Sequence, residues 1–402
     1  MNKNDKANPN ANTNPNAIAA PNANTNPNTK TNIALVSLTD RGMATVRRIG
    51  EKLPGTVVQE LYIHEKTLGS NKDHGEGEGH PRPQLHLFRR LGDIVPGLWQ
   101  EYAVLIFVMA TGIVVRQIAS LIEGKDRDPA VLVLDEEGKF IIPLLSGHLG
   151  GANTWANHLA CQIGAQAVIT TATDVRGLVA PDEYARRYGW KVEPLDHLPT
   201  VNSLLLEQGY LKIWSIYPLK PEEAWINDEH YQFLSDQEKE AANVIISPFP
   251  GRTIRDDLIY LVPPTLSVGV GCRRGISTEA VLEGITLAIE QIGASLKAVS
   301  GIYSIDLKND EVGLIDAAKY LRVPFQIFPA VELQAVIEKE QLSRSKFANE
   351  KIGVDGVCEA ASLLGTQKGR LILPKFKGRG VTVAISVENS LSWASGPETL
   401  TI

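Results

Sequence analysis

The 402-residue chain has 46 acidic and 40 basic side chains, a net charge of -6, 43% hydrophobic residues and 21% charged ones. That is apolar material for two or three cores, and the acidic balance argues against a nucleic-acid protein, which presents a basic face. Three widely spaced cysteines, Cys161, Cys272 and Cys358, exclude a disulfide framework and give no CxxC pair for a metal, which fits a reducing cytoplasm.

Residues 1–31 are rich in Asn, Pro, Ala and Thr, and the octet PNANTNPN occurs twice, from Pro9 and from Pro21. Such a composition predicts a disordered, dispensable tail. It lacks the basic-then-apolar pattern of a secretory leader, and no apolar run in the chain is long enough to span a membrane.

The folded part opens with NIALVSLT as a strand, DRGMATVRRIGEKL as a helix and TVVQELYIH as a second strand. Thr67 to Pro83 is polar and Gly-rich, a surface loop holding His74 and His80, with His86 just beyond. No Cys lies near these histidines in sequence, so they make a poor metal cluster. AVLIFVMA reads as a strand buried on both faces of a parallel sheet, and TGIVVRQIASLI as a helix from Thr111. AVLVLDEEGKFIIPL predicts a hairpin turning at Asp135 to Gly138. A helix opens within SGHLGGANTWANHLACQIG, and AVITTATD closes the unit as a strand. This predicts an α/β module over 32–177. A smaller α/β middle module follows over 178–264, with helical DEYARRYG and VNSLLLEQG and strands YLKIWSI and NVIISPF. Pro263 and Pro264 mark its end, and TLSVGVGCRRGIS opens a C-terminal α/β module over 265–402, again with a mainly parallel sheet.

Three strand-to-helix junctions can carry chemistry. MATGIVVR offers Thr111, Gly112 and Arg116. PLLSGHLGGAN offers Ser146, Gly147, His148, Gly150 and Asn153. GVGCRRGIST offers Gly271, Cys272 and Arg273. Each presents free backbone N–H groups at a helix start, where the dipole favours an anion. Glycine-rich turns also arise from geometry alone. Neither SGHLGG nor GVGCRRG has a Walker Lys-Ser/Thr pair or GxGxxG spacing, so a nucleotide site is poorly supported. Asp174 and Arg176 end TTATDVRG, either as a functional pair or as a turn cap. Glu359 stands in the apolar helix GVCEAAS, where a carboxylate must be paired, at an edge or shifted in pKa. Lys375 lies between two apolar strand runs.

ATGIVVR, PLLSGHLGGAN and TTATDVRG, followed by GVGCRRGIS, SIDLKNDEVGL, GVCEAAS and LPKFKGRGVTVAIS, resemble in order the motifs of the CbiG family of anaerobic cobalamin biosynthesis. The resemblance runs from Asn32 through nearly the whole chain. It implies a cytoplasmic hydrolase acting on cobalt-precorrin-5A. Water opens a lactone between the ring A acetate and C20, and the freed fragment leaves as acetaldehyde. Cobalt comes with the substrate, so no protein-bound cofactor or metal is implied. Transient contact with neighbouring pathway methyltransferases is a further expectation, without nucleic acid or membrane partners.

A corrinoid bearing many carboxylates needs dispersed anion sites, which Arg116, Arg176, Arg273 and Lys375 can supply beside Thr111, Gly112, Gly147, Gly150, Asn153, Gly271 and Cys272. His148 is the first candidate for the hydrolytic step, as general base toward water or as donor to the oxyanion. Asp174 and Glu359 are the alternative bases. Ser146 lacks the GxSxG nucleophile pattern and is expected to bond or cap. The competing functions are a corrinoid-binding or channelling protein without hydrolysis, and a dinucleotide enzyme.

Overall fold

Every residue of Val104–Val108 is buried, because a strand in the middle of a parallel sheet has helices on both faces. A computed structural model of the chain describes residues 32–53, 58–69, 84–218, 228–251, 255–344, 353–366, 368–378 and 380–391. The expected tail, His74 and His80 lie outside these residues. Among the described residues no helix is long and apolar enough to cross a membrane.

The first sheet contains β1 (Asn32–Ser37), β2 (Val58–His64), β3 (Gln84–Phe88), β4 (Val104–Val108), β5 (Ala130–Leu134), β6 (Phe140–Leu145) and β7 (Gln166–Ala167). Its helices are α1 (Asp40–Gly50), α2 (Leu91–Glu101), α3 (Thr111–Ile118) and α4 (Ala152–Ile163). The strand order is β3-β2-β1-β4-β5-β6-β7, with two buried clusters, one around Ile33, Leu35 and Trp155 and the other around Phe88, Phe107 and Val114. Thr39 starts α1 by accepting from Gly42 N at 3.1 Å, an N-cap of the usual kind.

The expected hairpin is present, with Gly138 at φ 64 donating its N–H to Asp135 O. It makes β6 antiparallel to β5, so Leu145 pairs with Val131 at the start of β5. The segment after β6 therefore emerges at the amino edge of the parallel strands. The Thr111 junction, after β4, emerges at the carboxyl edge. At about 3.3 Å per residue, a five-residue strand separates the two edges by roughly 15 Å.

AVITTATD does not form the expected full strand. Only Gln166–Ala167 pairs with β6, and the chain then turns into α5 (Ala172–Val175). Among the described residues β6 is the only neighbour of β7, and short Thr and Asp side chains compete for backbone partners there.

The second sheet, order β10-β9-β11-β12-β8, is built from β8 (Lys191–Glu193), β9 (Leu211–Ser215), β10 (Tyr231–Phe233), β11 (Val244–Ile246) and β12 (Ile259–Val262). It carries α6 (Pro181–Arg187) and α7 (Leu198–Gln208), and only β8 runs antiparallel, against β12. The third sheet, order β15-β14-β13-β17-β16, contains β13 (Leu266–Cys272), β14 (Val299–Ile305), β15 (Phe325–Phe328), β16 (Gly369–Lys377) and β17 (Val381–Glu388). Its helices are α8 (Thr278–Gln291), α9 (Val312–Leu321), α10 (Ala330–Lys339) and α11 (Cys358–Leu364). β17 is antiparallel to β13 and to β16. The architecture is multi-domain α/β with mainly parallel sheets, each admitting some antiparallel pairing.

Candidate active site

The loop from Ser146 to Gly151 is folded back on itself. Ser146 has φ 58 and Gly151 φ 81, and Ser146 O accepts from Ala152 N at 3.1 Å. A side chain at Gly150 would put Cβ 2.4 Å from Ser146 Cβ, so only glycine permits this closure. Gly147 likewise packs against Asn153, whose Oδ1 would lie 2.8 Å from an added Cβ. α4 begins only at Ala152, so His148 stands in the loop rather than on the helix. Ser146 Oγ donates to Asp128 O at 3.1 Å, the bonding role expected of it.

His148 is held on both sides. Its Nε2 lies 2.9 Å from Asp174 Oδ2 and its Nδ1 3.3 Å from Asp182 Oδ2. Thr173 Oγ1 sits 3.3 Å from Nε2. Asn153 Nδ2 donates to the same Asp174 Oδ2 and to Thr171 Oγ1, each at 3.0 Å. The His148 side chain is 10% exposed, against 23% for Asp174. Burial alone lowers the His148 pKa, but the hydrogen bonds and charges of Asp174 and Asp182 outweigh it and raise the pKa to about 10. At neutral pH the ring is an imidazolium with both N–H groups directed at carboxylates. It has no lone pair to accept a proton, so the expectation of His148 as general base does not fit the geometry. Asp174 Oδ1 has no partner among the described residues, and it is the open atom of the pair.

His148, Asp174 and Glu183 also offer three metal-ligand atoms within 4.8 Å of one another. Glu183, however, accepts from Arg187 at 2.6 Å, and both His148 nitrogens face carboxylates. As it stands this corner is an ion-pair network.

The other expected site residues are dispersed. Thr111 and Gly112 begin α3 at the opposite edge of the first sheet, and Arg116 turns back to donate to Gly112 O at 3.1 Å. Arg176 donates to Leu206 O of α7 at 2.7 Å, a contact between units rather than a free cation. Gly271 pairs with Thr382, and an added Cβ would lie 2.7 Å from Thr382 Oγ1, so it serves packing. Cys272 ends β13, where burial raises its thiol pKa. The loop after it is tethered twice. Arg274 makes two bonds to Asp310, at 3.0 and 2.8 Å, and Gly275 N donates to Glu311 at 2.8 Å. Arg273, beside Arg274, is exposed, and its side chain has no partner among the described residues. Glu359 is buried and satisfied, accepting from Ser343 Oγ at 2.9 Å and Lys375 N at 3.3 Å. It anchors α11 to β16 and has no contact with the His148 network among the described residues. Asp182 was not singled out in the sequence. PDEYARR reads there as a proline-led helix start with acidic residues in its first turn, and nothing in that pattern reports a partner 34 positions upstream.

Three known family domains match in succession: cobalamin synthesis G N-terminal at residues 93–174, cobalamin biosynthesis central region at 179–263 and cobalamin synthesis G C-terminus at 266–386. The chain belongs to the cobalamin synthesis G family. Among family relatives, the cobalt-precorrin-5A hydrolase of Salmonella typhimurium is 31% identical over 365 residues, covering 89% of this chain and 97% of that protein. The cobalt-precorrin-5A hydrolase of Priestia megaterium is 28% identical over 370 residues, covering 88% and 94%. A cobalamin biosynthesis protein G homologue from Sulfolobus solfataricus aligns in structure over 89% of this chain and 97% of its own, at 20% identity and a TM-score of 0.35. The His148 network draws on the N-terminal and central segments of the family, since Asp174 closes the first match and Asp182 falls in the second.

Proposed function

We infer that this chain is a cobalt-precorrin-5A hydrolase. The observation that carries the reading is the ordered match of all three family domains, in a chain that aligns with 97% of the Salmonella hydrolase. Water adds to the ring A lactone carbonyl, the acyl–oxygen bond breaks, and the ring A acetate and a C20 hydroxyl are formed. The hydroxyl then loses its proton, the C1–C20 bond breaks, and acetaldehyde leaves. The electron pair stays with C1 and spreads into the macrocycle and its cobalt, so that part of the chemistry belongs to the substrate.

The chain's own groups move protons and hold them in place. Asp174 Oδ1 takes the proton of the attacking water and, after releasing it to solvent, that of the C20 hydroxyl. The His148 imidazolium and Asn153 fix Oδ2 and keep the carboxylate aimed. The reaction runs in the cytoplasm without an enzyme-bound metal, and the product passes to neighbouring pathway methyltransferases.

Anaerobic incubation with cobalt-precorrin-5A tests this reading. One equivalent of acetaldehyde and a corrinoid two carbons lighter are expected. A corrinoid that binds and returns unchanged would make the chain a binding or channelling protein instead.

A further inference from the structure

His148 touches a residue that the proposed mechanism leaves unused. We infer that Asp182 is a positioning residue for the hydrolytic centre, holding His148 Nδ1 so that Nε2 faces Asp174, and that the centre exists only where the first and second units meet. This inference rests on the reading of Asp174 and His148 as the hydrolytic pair.

Asp182 is 4% exposed. Apart from His148 its partner is Asn202 Nδ2, at a long 3.4 Å. A buried carboxylate needs a counter-charge, and the imidazolium is the one it touches. The dependence is mutual. Acceptors on both sides of an imidazole fix its plane as well as its protonation, and Asp174 alone would leave the ring free to swing about one bond.

Asp182 lies on α6, whose Tyr184 and Ala185 are part of the second sheet's core. His148 lies in the loop that ends the first sheet's hairpin. The seam between them is specific. Leu149, next to His148, packs into the second core. Arg186 Nη2 donates to Thr154 Oγ1 of α4 at 2.6 Å, and Arg176 reaches Leu206. Among the described residues the charged groups facing His148 are Asp174 from α5, and Asp182 and Glu183 from α6. Glu183 is neutralised by Arg187, Arg186 is turned to Thr154, and α4 contributes the neutral Asn153. Two carboxylates therefore act on one ring, and one of them comes from across the seam.

The test uses the full chain and isotope-labelled histidine, with the His148 signals assigned by their loss in His148→Gln. In wild type the ring should titrate well above an ordinary histidine. In Asp182→Asn its midpoint should fall by at least one pH unit, and kcat should fall about 10- to 100-fold with KM little changed, as for lost outer partners of a functional histidine. Asp182→Glu should restore most of the turnover. A folded Asp182→Asn protein with unchanged midpoint or unchanged kcat overturns the inference. Should Asp182→Asn fail to fold, an ordinary midpoint in wild type alone overturns it. The titration needs no substrate, so a chain that released no acetaldehyde would sink the proposed reaction and leave this readout standing.

Discussion

His148 Nε2 lies 2.9 Å from Asp174 Oδ2, and the same oxygen accepts from Asn153 at 3.0 Å. One carboxylate oxygen thus takes two donors while the other has no partner among the described residues, so the plane of the carboxylate is fixed from one side.

Asp174→Asn should fold normally and still bind corrinoid. It should lose acetaldehyde release by about 10²–10⁴-fold, the usual contribution of a positioned base. Single-turnover assays on the purified variant measure this. Near-wild-type turnover would remove Asp174 from the proton path.

Stability should depend on pH through His148. Its folded pKa of about 10 is above the ordinary value of 6.5. Its contribution is therefore complete below about pH 6.5 and is lost as the pH rises toward 10. Denaturant titrations of wild type and His148→Gln should show a stability gap that narrows over this range. A gap that is constant with pH would mean the folded ring is neutral.

Arg273 and Arg116, both exposed at glycine-rich junctions, should behave differently. Arg273 has no side-chain partner among the described residues and stands beside a tethered loop, and Arg273→Ala should weaken corrinoid binding about tenfold, as expected for one lost charge-assisted hydrogen bond. Arg116 bonds its own helix at the opposite edge from His148, so Arg116→Ala should leave affinity within about twofold. Equilibrium binding of the product corrinoid distinguishes them, and equal losses would mean that the ligand also reaches the carboxyl edge of the first sheet.

Gly269→Ala should destabilise the third unit. An added Cβ would lie 1.8 Å from Cys358 O, a backbone atom that cannot rotate away, so α11 and β13 must part. Overpacking of this kind costs about 1–3 kcal/mol, which a denaturant midpoint registers.

Turnover should survive extended dialysis against a chelator, because Glu183 is committed to Arg187 and His148 to two carboxylates. Loss of activity restored by a divalent ion would instead make His148, Asp174 and Glu183 a metal centre.

The long apolar runs of β1, β4, β5 and β17 and the Asp135–Gly138 turn were legible because burial on two faces and turn chemistry are local signals. α2 carries no such signal, as its internal Pro96 and Gly97 resemble a turn. The hairpin was legible, but its consequence was not. Reversing β6 sends the SGHLGG loop to the opposite edge from ATGIVV, although both follow strands and look alike in sequence. His148 and Asp174 were each visible as candidate bases, but as alternatives. Their bond depends on how the loop after β6 folds against α5, and Asp182 behind it on how two units dock, neither of which any periodicity encodes. Gly150, Gly271 and Arg176 looked like ligand contacts because close packing and ligand approach ask for the same residue types.

The loop after β13 is pinned by Asp310 and Glu311 before any ligand arrives. Fixing a residue's backbone costs about 1–2 kcal/mol in entropy, and here folding has already met that cost. A carboxylate docking at this loop needs to still only the side chain of Arg273, so capture there becomes a choice among rotamers of one arginine on a ready-made frame.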